Sequence, residues 1–259
     1  MTNIHPTAIV DPQAELADGV EVGPYAVIGA NVKIGSDTLV RQHANIEGHT
    51  TIGSQCQIFP FACIGMKSQD LKYVEGDITY VEIGDRNVLR EFCTVHLGTK
   101  PGEITKIGSD CLILAYCHVA HGCKVGNHVI MSNNATLAGE VVVDDYAILG
   151  GMSAVHQFCR IGTYAMIGGA SKVRQDCAPY MITDVSGDDG RVGGPNIVGL
   201  KRHGFGIDVR NALKEAYRIL YREGLNRTQA LDKLRYEMNE LPEIKHLIDF
   251  FTNSQRGVH

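Results

Sequence analysis

The residues of this chain best suited to move a proton near neutral pH are its eleven histidines. Five of them raise the question of chemistry: His96, His118, His121, His128 and His156. His118 and His121 bound the short run His118-Val119-Ala120-His121, where a neutral imidazole would serve as a general base. Cys111, Cys117 and Cys123, spaced by six, have the look of a metal-binding set. Choosing between these readings requires the elements that carry the residues.

Those elements are repeats. An aliphatic residue falls on every sixth position from Ile4 through Val10, Leu16, Val22, Ile28, Ile34, Val40, Ile46, Ile52 and Ile58 to Ile64. The period resumes at Ile83, Leu89 and Val95, and again from Ile107 to Val173. Four residues after the aliphatic position sits a small one, as at Ala26, Ala44, Ala62, Ala135, Ala147 and Ala165. Glycine often follows it directly, as at Gly23, Gly35, Gly53, Gly84, Gly108 and Gly126, where a turn with positive φ is expected. A six-residue unit of short strand and turn predicts a parallel β-helix, a triangular prism in which residues 18 apart stack about 4.8 Å from each other.

The prism reassigns the candidates. Cys111, Cys117 and Cys123 fall in the small inward slot together with Cys56, Cys93, Cys159 and Cys177, so they read as core filler. His121 and Gly139 differ by 18 and stack on adjacent coils, which sets a general base beside a backbone N–H able to receive an oxyanion. The competing reading is a zinc site built from histidines of neighbouring coils, but no third histidine is in register with His118 and His121. Two polar segments, 66–82 and 100–106, break the period and are expected to leave the prism as surface loops, where binding usually resides.

Composition removes several function classes. A net charge of −5 argues against a general nucleic-acid binder, and no apolar run approaches the ~20 residues of a membrane span. Eight cysteines without a visible export signal read as reduced thiols of a cytoplasmic protein. The prism is expected over 1–185, followed over 186–259 by a linker and a small helical domain; DVSGDDGRVGGP (184–195) is the linker-like stretch. Val209, Ala212, Leu213, Ala216, Ile219 and Leu220 share one helical face from about Asp208. A second helix is expected near Thr228, and Pro242 opens a third. Residues 200–259 hold 11 Lys+Arg and 8 Asp+Glu, net +3, against 13 and 21 in the first 199, net −8. Lys201, Arg202, Arg210, Lys214, Arg218 and Arg222 form either a solvated face or a dock for an acidic partner.

Specific segments then carry a resemblance. IHPTAIV near the start, QDLKY at 69–73, IGDRN at 83–87, HVAHGCKVGN at 118–127, NNATLAG at 133–139, GGMSAVHQFCRIG at 150–162 and NIVGLKRHGF at 196–205 resemble the UDP-N-acetylglucosamine acyltransferase family of lipid A synthesis. The resemblance implies a left-handed β-helix with a C-terminal helical domain, and a homotrimer with active sites between subunits. It also implies transfer of a 3-hydroxyacyl chain from acyl carrier protein to the glucosamine 3-hydroxyl. It makes His121 the general base and Gly139 the oxyanion donor, with Asp70 and Lys72 near the sugar and Gln69, His118, His156, Gln157, Asn196 and Arg202 lining the site. Gly169, beside Met166, falls where the family measures acyl length; its missing side chain suggests a chain of about fourteen carbons. The resemblance implies no metal and no cofactor beyond the phosphopantetheine arm of acyl carrier protein.

The chain also departs from that pattern. Gly122 replaces the usual carboxylate after the catalytic histidine, and Glu140 stands where a histidine is common. Leu97, Val198 and His203 replace arginine, glutamate and arginine. Such changes leave open an acceptor with a 3-amino group in place of the hydroxyl.

Overall fold

The computed structural model describes residues 1–187, 190–238 and 240–259. Short strands, mostly of two residues, wind into a left-handed parallel β-helix with sheets of eleven, nine and eight strands, here called the first, second and third. Pairing advances by 18 residues per coil, as in Ile130 with Ile148, Thr136 with Ala154 and Val125 with Val143. The step lengthens only where a loop is inserted, from Cys63 to Thr94 and from Thr94 to His118.

The aliphatic positions point inward and stack as ladders; Ile28, Ile46, Ile64, Val95, Val119 and Leu137 are all fully buried on one side of the prism. Each such side chain contributes about 1.5–3 kcal/mol through its removal from water. Cys56, Cys93, Cys111, Cys117, Cys123, Cys159 and Cys177 fill the small slots as expected, and Cys63 is half-buried. Burial pushes their thiols up, Cys111 to about 11 and Cys123 to about 12, so they stay protonated and unreactive.

The glycines act differently from the sequence expectation. Positive φ occurs two residues further on, at side-chain-bearing corner residues such as Tyr25, His43, Phe61, Tyr116 and Tyr146. Gly35, Gly53 and Gly108 are instead required by coil-to-coil distance. A Cβ on Gly35 would lie 2.6 Å from the Gly53 carbonyl carbon, and one on Gly108 would lie 2.6 Å from the Gly126 oxygen.

The first loop is shorter than the broken period suggests, and the second starts and ends three residues earlier. Tyr80–Ile83 and Ile104–Ile107 are strands of the third sheet, paired Tyr80 with Ile104 through Ile83 with Ile107. Val81 and Thr105 point inward between exposed neighbours, an alternation too short to stand out beside a six-residue period. The excursions therefore span 67–79 and 97–103.

Part of the segment expected as linker is also a strand. Arg191–Pro195 pairs antiparallel with Met181–Asp184 and covers the open edge of the first sheet; residues 188 and 189 lie outside the described part. Among the described residues four helices follow: α1 (Ile197–Arg202), α2 (Ile207–Tyr221), α3 (Arg227–Met238) and α4 (Pro242–Thr252). α1 was not anticipated. Leu213, Ala216, Ile219, Leu231, Leu234, Ile244, Leu247 and Phe251 form a second core that rests on Ala178, Tyr180 and Met181 at the end of the prism. The C-terminus returns to that end, where the Asp176 N–H donates to the Gly257 oxygen (2.8 Å) and the His259 N–H to the Asp176 oxygen (3.0 Å).

Candidate active site

Each coil turns three corners, and the corners are chemically distinct. Between the first and second sheets runs an aromatic stack of Tyr25, His43, Phe61, Phe92 and Tyr116, with ring centroids 4.9–5.2 Å apart. Between the third and first sheets, side chains from the next coil cap the turn amides. Ser54 N–H donates to Asp85 Oδ1, Asp85 N–H to Ser109 Oγ, Ser109 N–H to Asn127 Oδ1 and Asn127 N–H to Asp145 Oδ1, at 2.7–3.0 Å. The corner between the second and third sheets carries Glu103, His121, Gly139 and Gln157 at successive 18-residue steps, a register fixed by Lys106 pairing with Lys124. Among the described residues no acceptor meets the Gly139 N–H.

Both loops emerge at this third corner, on the coils just before His121. They are tied together by a hydrogen bond between the Ser68 and Thr99 hydroxyls (2.7 Å), both buried. Asp70 N–H donates to Ser68 Oγ (3.2 Å) and Thr99 N–H to Glu103 Oε2 (2.5 Å). The linked loops thus deliver two carboxylates to opposite sides of one imidazole. Asp70 Oδ2 lies 3.5 Å from His121 Nε2, and Glu103 Oε2 lies 3.8 Å from Nδ1.

Stacking fixes which nitrogen of His121 faces the next turn. The Nε2 edge of His121 leans on Gly139 so closely that a Cβ there would sit 2.3 Å from Nε2. Glu140, on the same turn, donates its backbone N–H to the His121 oxygen (2.9 Å). On the same coil as His121, His118 Nδ1 shares a 2.7 Å hydrogen bond with Thr94 Oγ1 of the coil before, and its ring meets His96 edge-on at 4.8 Å. Burial, with the positive ends of neighbouring imidazoles, pushes His96 down to about 4 and lowers His118. Both are therefore neutral at physiological pH, which keeps positive charge away from His121.

The remaining predicted residues divide into two groups. Gln69, Asp70, Lys72, His118, His156 and Gln157 lie at or beside the reactive corner; Lys72 N–H donates to Asp70 Oδ1 (3.0 Å), and Arg256 of the C-terminal tail approaches His156 Nδ1 (3.1 Å). Met166 lies in the first sheet, and Gly169 on the aromatic corner above Gly151, between two and three coils or roughly 10–14 Å along the prism from His121. Asn196 and Arg202 are on the opposite edge: Asn196 caps α1 through the Gly199 N–H (3.1 Å) and donates to the Tyr164 oxygen (3.1 Å). One chain does not bring them to His121. A groove lined by Lys106, Lys124, Asp144, Asp145 and His246 lies elsewhere and includes none of these residues.

Glu103 and Glu140 were missed as neighbours of His121. Eighteen residues subtracted from 121 lands on Glu103, but the polar segment 100–106 reads from the sequence as a loop throughout. The two carboxylates and His121 bring ligand-type atoms within 4.8 Å of one another.

An open corner amide stacked against a histidine, on a hexapeptide prism with basic helices at its end, defines a hexapeptide-repeat acyltransferase. Family models match at residues 104–139, the bacterial transferase hexapeptide, and at 176–259, domain 2 of UDP-N-acetylglucosamine O-acyltransferase. Acyl-[acyl-carrier-protein]–UDP-N-acetylglucosamine O-acyltransferases of Thermodesulfovibrio yellowstonii and Thiobacillus denitrificans are 50% and 48% identical over all of this chain and 99% of each relative. The solved Francisella novicida UDP-N-acetylglucosamine acyltransferase superposes with TM-score 0.95 at 38% identity, covering 98% of this chain and 93% of that one. The Moraxella catarrhalis UDP-N-acetylglucosamine O-acyltransferase gives 0.92 at 44%, covering 98% of each. The chain belongs to the UDP-N-acetylglucosamine O-acyltransferase family.

Proposed function

We propose that this protein transfers a 3-hydroxyacyl chain from acyl carrier protein to the glucosamine 3-hydroxyl of UDP-N-acetylglucosamine, the opening step of lipid A synthesis. The carrying observation is His121 Nε2 stacked on Gly139 at a corner whose amide is left open. An alcohol is too weak an acid to ionise at neutral pH, so its proton must leave as it attacks. His121 Nε2 takes that proton while the 3-oxygen bonds to the thioester carbon. The carbonyl oxygen, now negative, is received by the Gly139 N–H. Collapse expels the phosphopantetheine sulfur, which recovers the proton from His121, leaving ester and thiol. No serine or cysteine nucleophile enters, in keeping with the buried, protonated cysteine ladder.

The working unit is a cytoplasmic homotrimer without a cofactor of its own. Asn196 and Arg202 lie across the prism from His121, so they reach a shared substrate only from a neighbouring copy. Exposed Lys201, Arg202 and Lys214 have no acidic partner among the described residues and suit an acidic carrier protein. No helix among the described residues is long and apolar enough to cross a membrane.

The test offers 3-hydroxyacyl carrier proteins of graded length with UDP-N-acetylglucosamine or its 3-amino analogue. Ester product, lowered by about 10²–10⁴ in His121→Ala with the oligomer intact, is the expected result. Amide product alone would move the acceptor to the amino sugar, and near-normal turnover by His121→Ala would end the mechanism.

A further inference from the structure

His121 needs an orienting partner on Nδ1, and the residue after it, the natural place for a carboxylate, is Gly122. Gly122 has φ +66, and the space its side chain would fill is occupied. A Cβ there would lie 3.0 Å from Glu140 Cδ, 3.1 Å from Glu140 Oε2 and 3.3 Å from Glu103 Cδ. Two carboxyl groups, one from the coil before His121 and one from the turn after it, converge on the vacated position. His121 Nδ1 is meanwhile buried and has no hydrogen-bond partner among the described residues, with Glu103 Oε2 as its facing oxygen at 3.8 Å.

We propose that Glu103, backed by Glu140, is the positioning carboxylate of His121: it accepts the Nδ1–H and so fixes Nε2 as the basic nitrogen. This rests on the acyltransferase reading and deepens it. Closing 3.8 Å to a hydrogen bond of about 2.8 Å requires a movement of about 1 Å, the kind of tightening that substrate binding brings to catalytic contacts. Glu103 has the capacity, because a carboxylate accepts up to about four hydrogen bonds and the Thr99 N–H uses one.

Two adjacent carboxylates would repel, and the surroundings resolve the conflict unequally. Burial and the nearby Glu103 charge raise Glu140, only partly offset by Lys100 and His121. The Thr99 N–H aims at Glu103, so Glu103 is the member built to accept, and Glu140 is the member whose charged form burial disfavours. Asp70 stays on the far side, near Nε2, where the acceptor sugar is expected. The chain thereby replaces one carboxylate adjacent in sequence by two from neighbouring turns.

The experiment has an arm that does not require activity. In protein labelled with nitrogen-15 histidine, with His121 assigned by difference from His121→Ala, the wild type should show Nδ1 protonated and Nε2 bare. Glu103→Gln should lose that preference and become a tautomer mixture. In the acyl-transfer assay Glu103→Gln should lower kcat by about 10–100-fold with KM for both substrates nearly unchanged, the range for loss of an orienting partner. Gly122→Asp, tolerable because aspartate accepts positive φ, should recover most of that loss in the Glu103→Gln/Glu140→Ala background, where room for it exists. An unchanged tautomer in Glu103→Gln overturns the proposal, as does kcat within about twofold of wild type. A divalent ion bound one per chain and lost with both glutamates would overturn it too, giving the trio to a metal. If the wild type forms neither ester nor amide, the functional reading fails, while the tautomer arm still decides the role of Glu103.

Discussion

The capped corner and the reactive corner are built from the same turn, yet one is closed by side chains and the other is open. At the capped corner Asp85, Ser109, Asn127 and Asp145 reach across one coil to the amide of the turn before. At the reactive corner the equivalent positions are His121, Gly139 and Gln157, and among the described residues no acceptor meets the Gly139 N–H. In a repetitive fold every turn offers such an N–H, and the one at Gly139 is set apart by the imidazole of His121 stacked against it. Insertions follow the same logic: both loops leave from the open corner and close over it.

Gly139→Ala should break this contrast most severely. A Cβ would be 2.3 Å from His121 Nε2 and 2.4 Å from Cε1, so the base must move away from the amide. Turnover should fall by about 10²–10³ or more, the cost of losing an oxyanion donor, while the melting temperature changes little. Enzyme assay beside calorimetry checks it; a loss of fold to match the loss of rate would deny that this corner is kept for chemistry.

At the capped corner the effects should be reversed. Asn87, fully buried, donates to the Gly84 and Gly108 oxygens (2.9 and 2.7 Å) and accepts from the Cys111 N–H (2.8 Å). Asn87→Ala takes a partner from three backbone groups, of which only the Gly84 oxygen keeps another donor, the Cys56 thiol (3.2 Å), and should cost about 2–4 kcal/mol of stability, with kcat nearly unchanged in the protein that folds. Denaturant unfolding gives the first quantity and acyl transfer the second.

Legibility in the sequence follows the same division. The period, the inward cysteines and the pairing of His121 with Gly139 were all visible, because each follows from counting by six or eighteen. What was missed departs from that count. Glu103 sits at the edge of an insertion, where the strand Ile104–Ile107 starts three residues before its periodic isoleucine. α1 is six residues long, and Arg191–Pro195 is a strand because an exposed sheet edge needs covering, which no local composition announces. Gly122 and Glu140 were legible as two separate departures; that they compensate each other required the distance between them.

The aromatic corner offers a smaller, graded test. Gly169 is one coil beyond Gly151, and a Cβ on it would touch only the Gly151 oxygen, at 3.4 Å, so a side chain there projects outward. If the acyl chain runs from His121 toward this corner, Gly169→Met should shift preference to shorter chains by about tenfold for each excluded pair of methylenes. Ratios of kcat/KM over the graded series measure it, and an unaltered ratio would remove this corner from the site.

The smallest effect concerns acid, which should weaken the reactive corner before the capped one. His96 is buried against His118 and titrates at about 4 when folded, whereas an unfolded histidine titrates near 6.5. Between those values the unfolded chain binds the extra proton, so stability is lost as pH falls from about 6.5 toward 4, by about 1.3 kcal/mol at pH 5.5. His118 and His259, also lowered by burial, add in the same direction. The capped corner responds lower down. Hydrogen bonds from Arg86 hold Asp110 below its ordinary range, so the stability it contributes goes only as pH falls below the usual carboxylate value. His96→Phe keeps the buried ring, removes the titration and should flatten the decline measured by urea unfolding between pH 7 and 5. An equally steep decline in that variant would place the acid sensitivity elsewhere in the molecule.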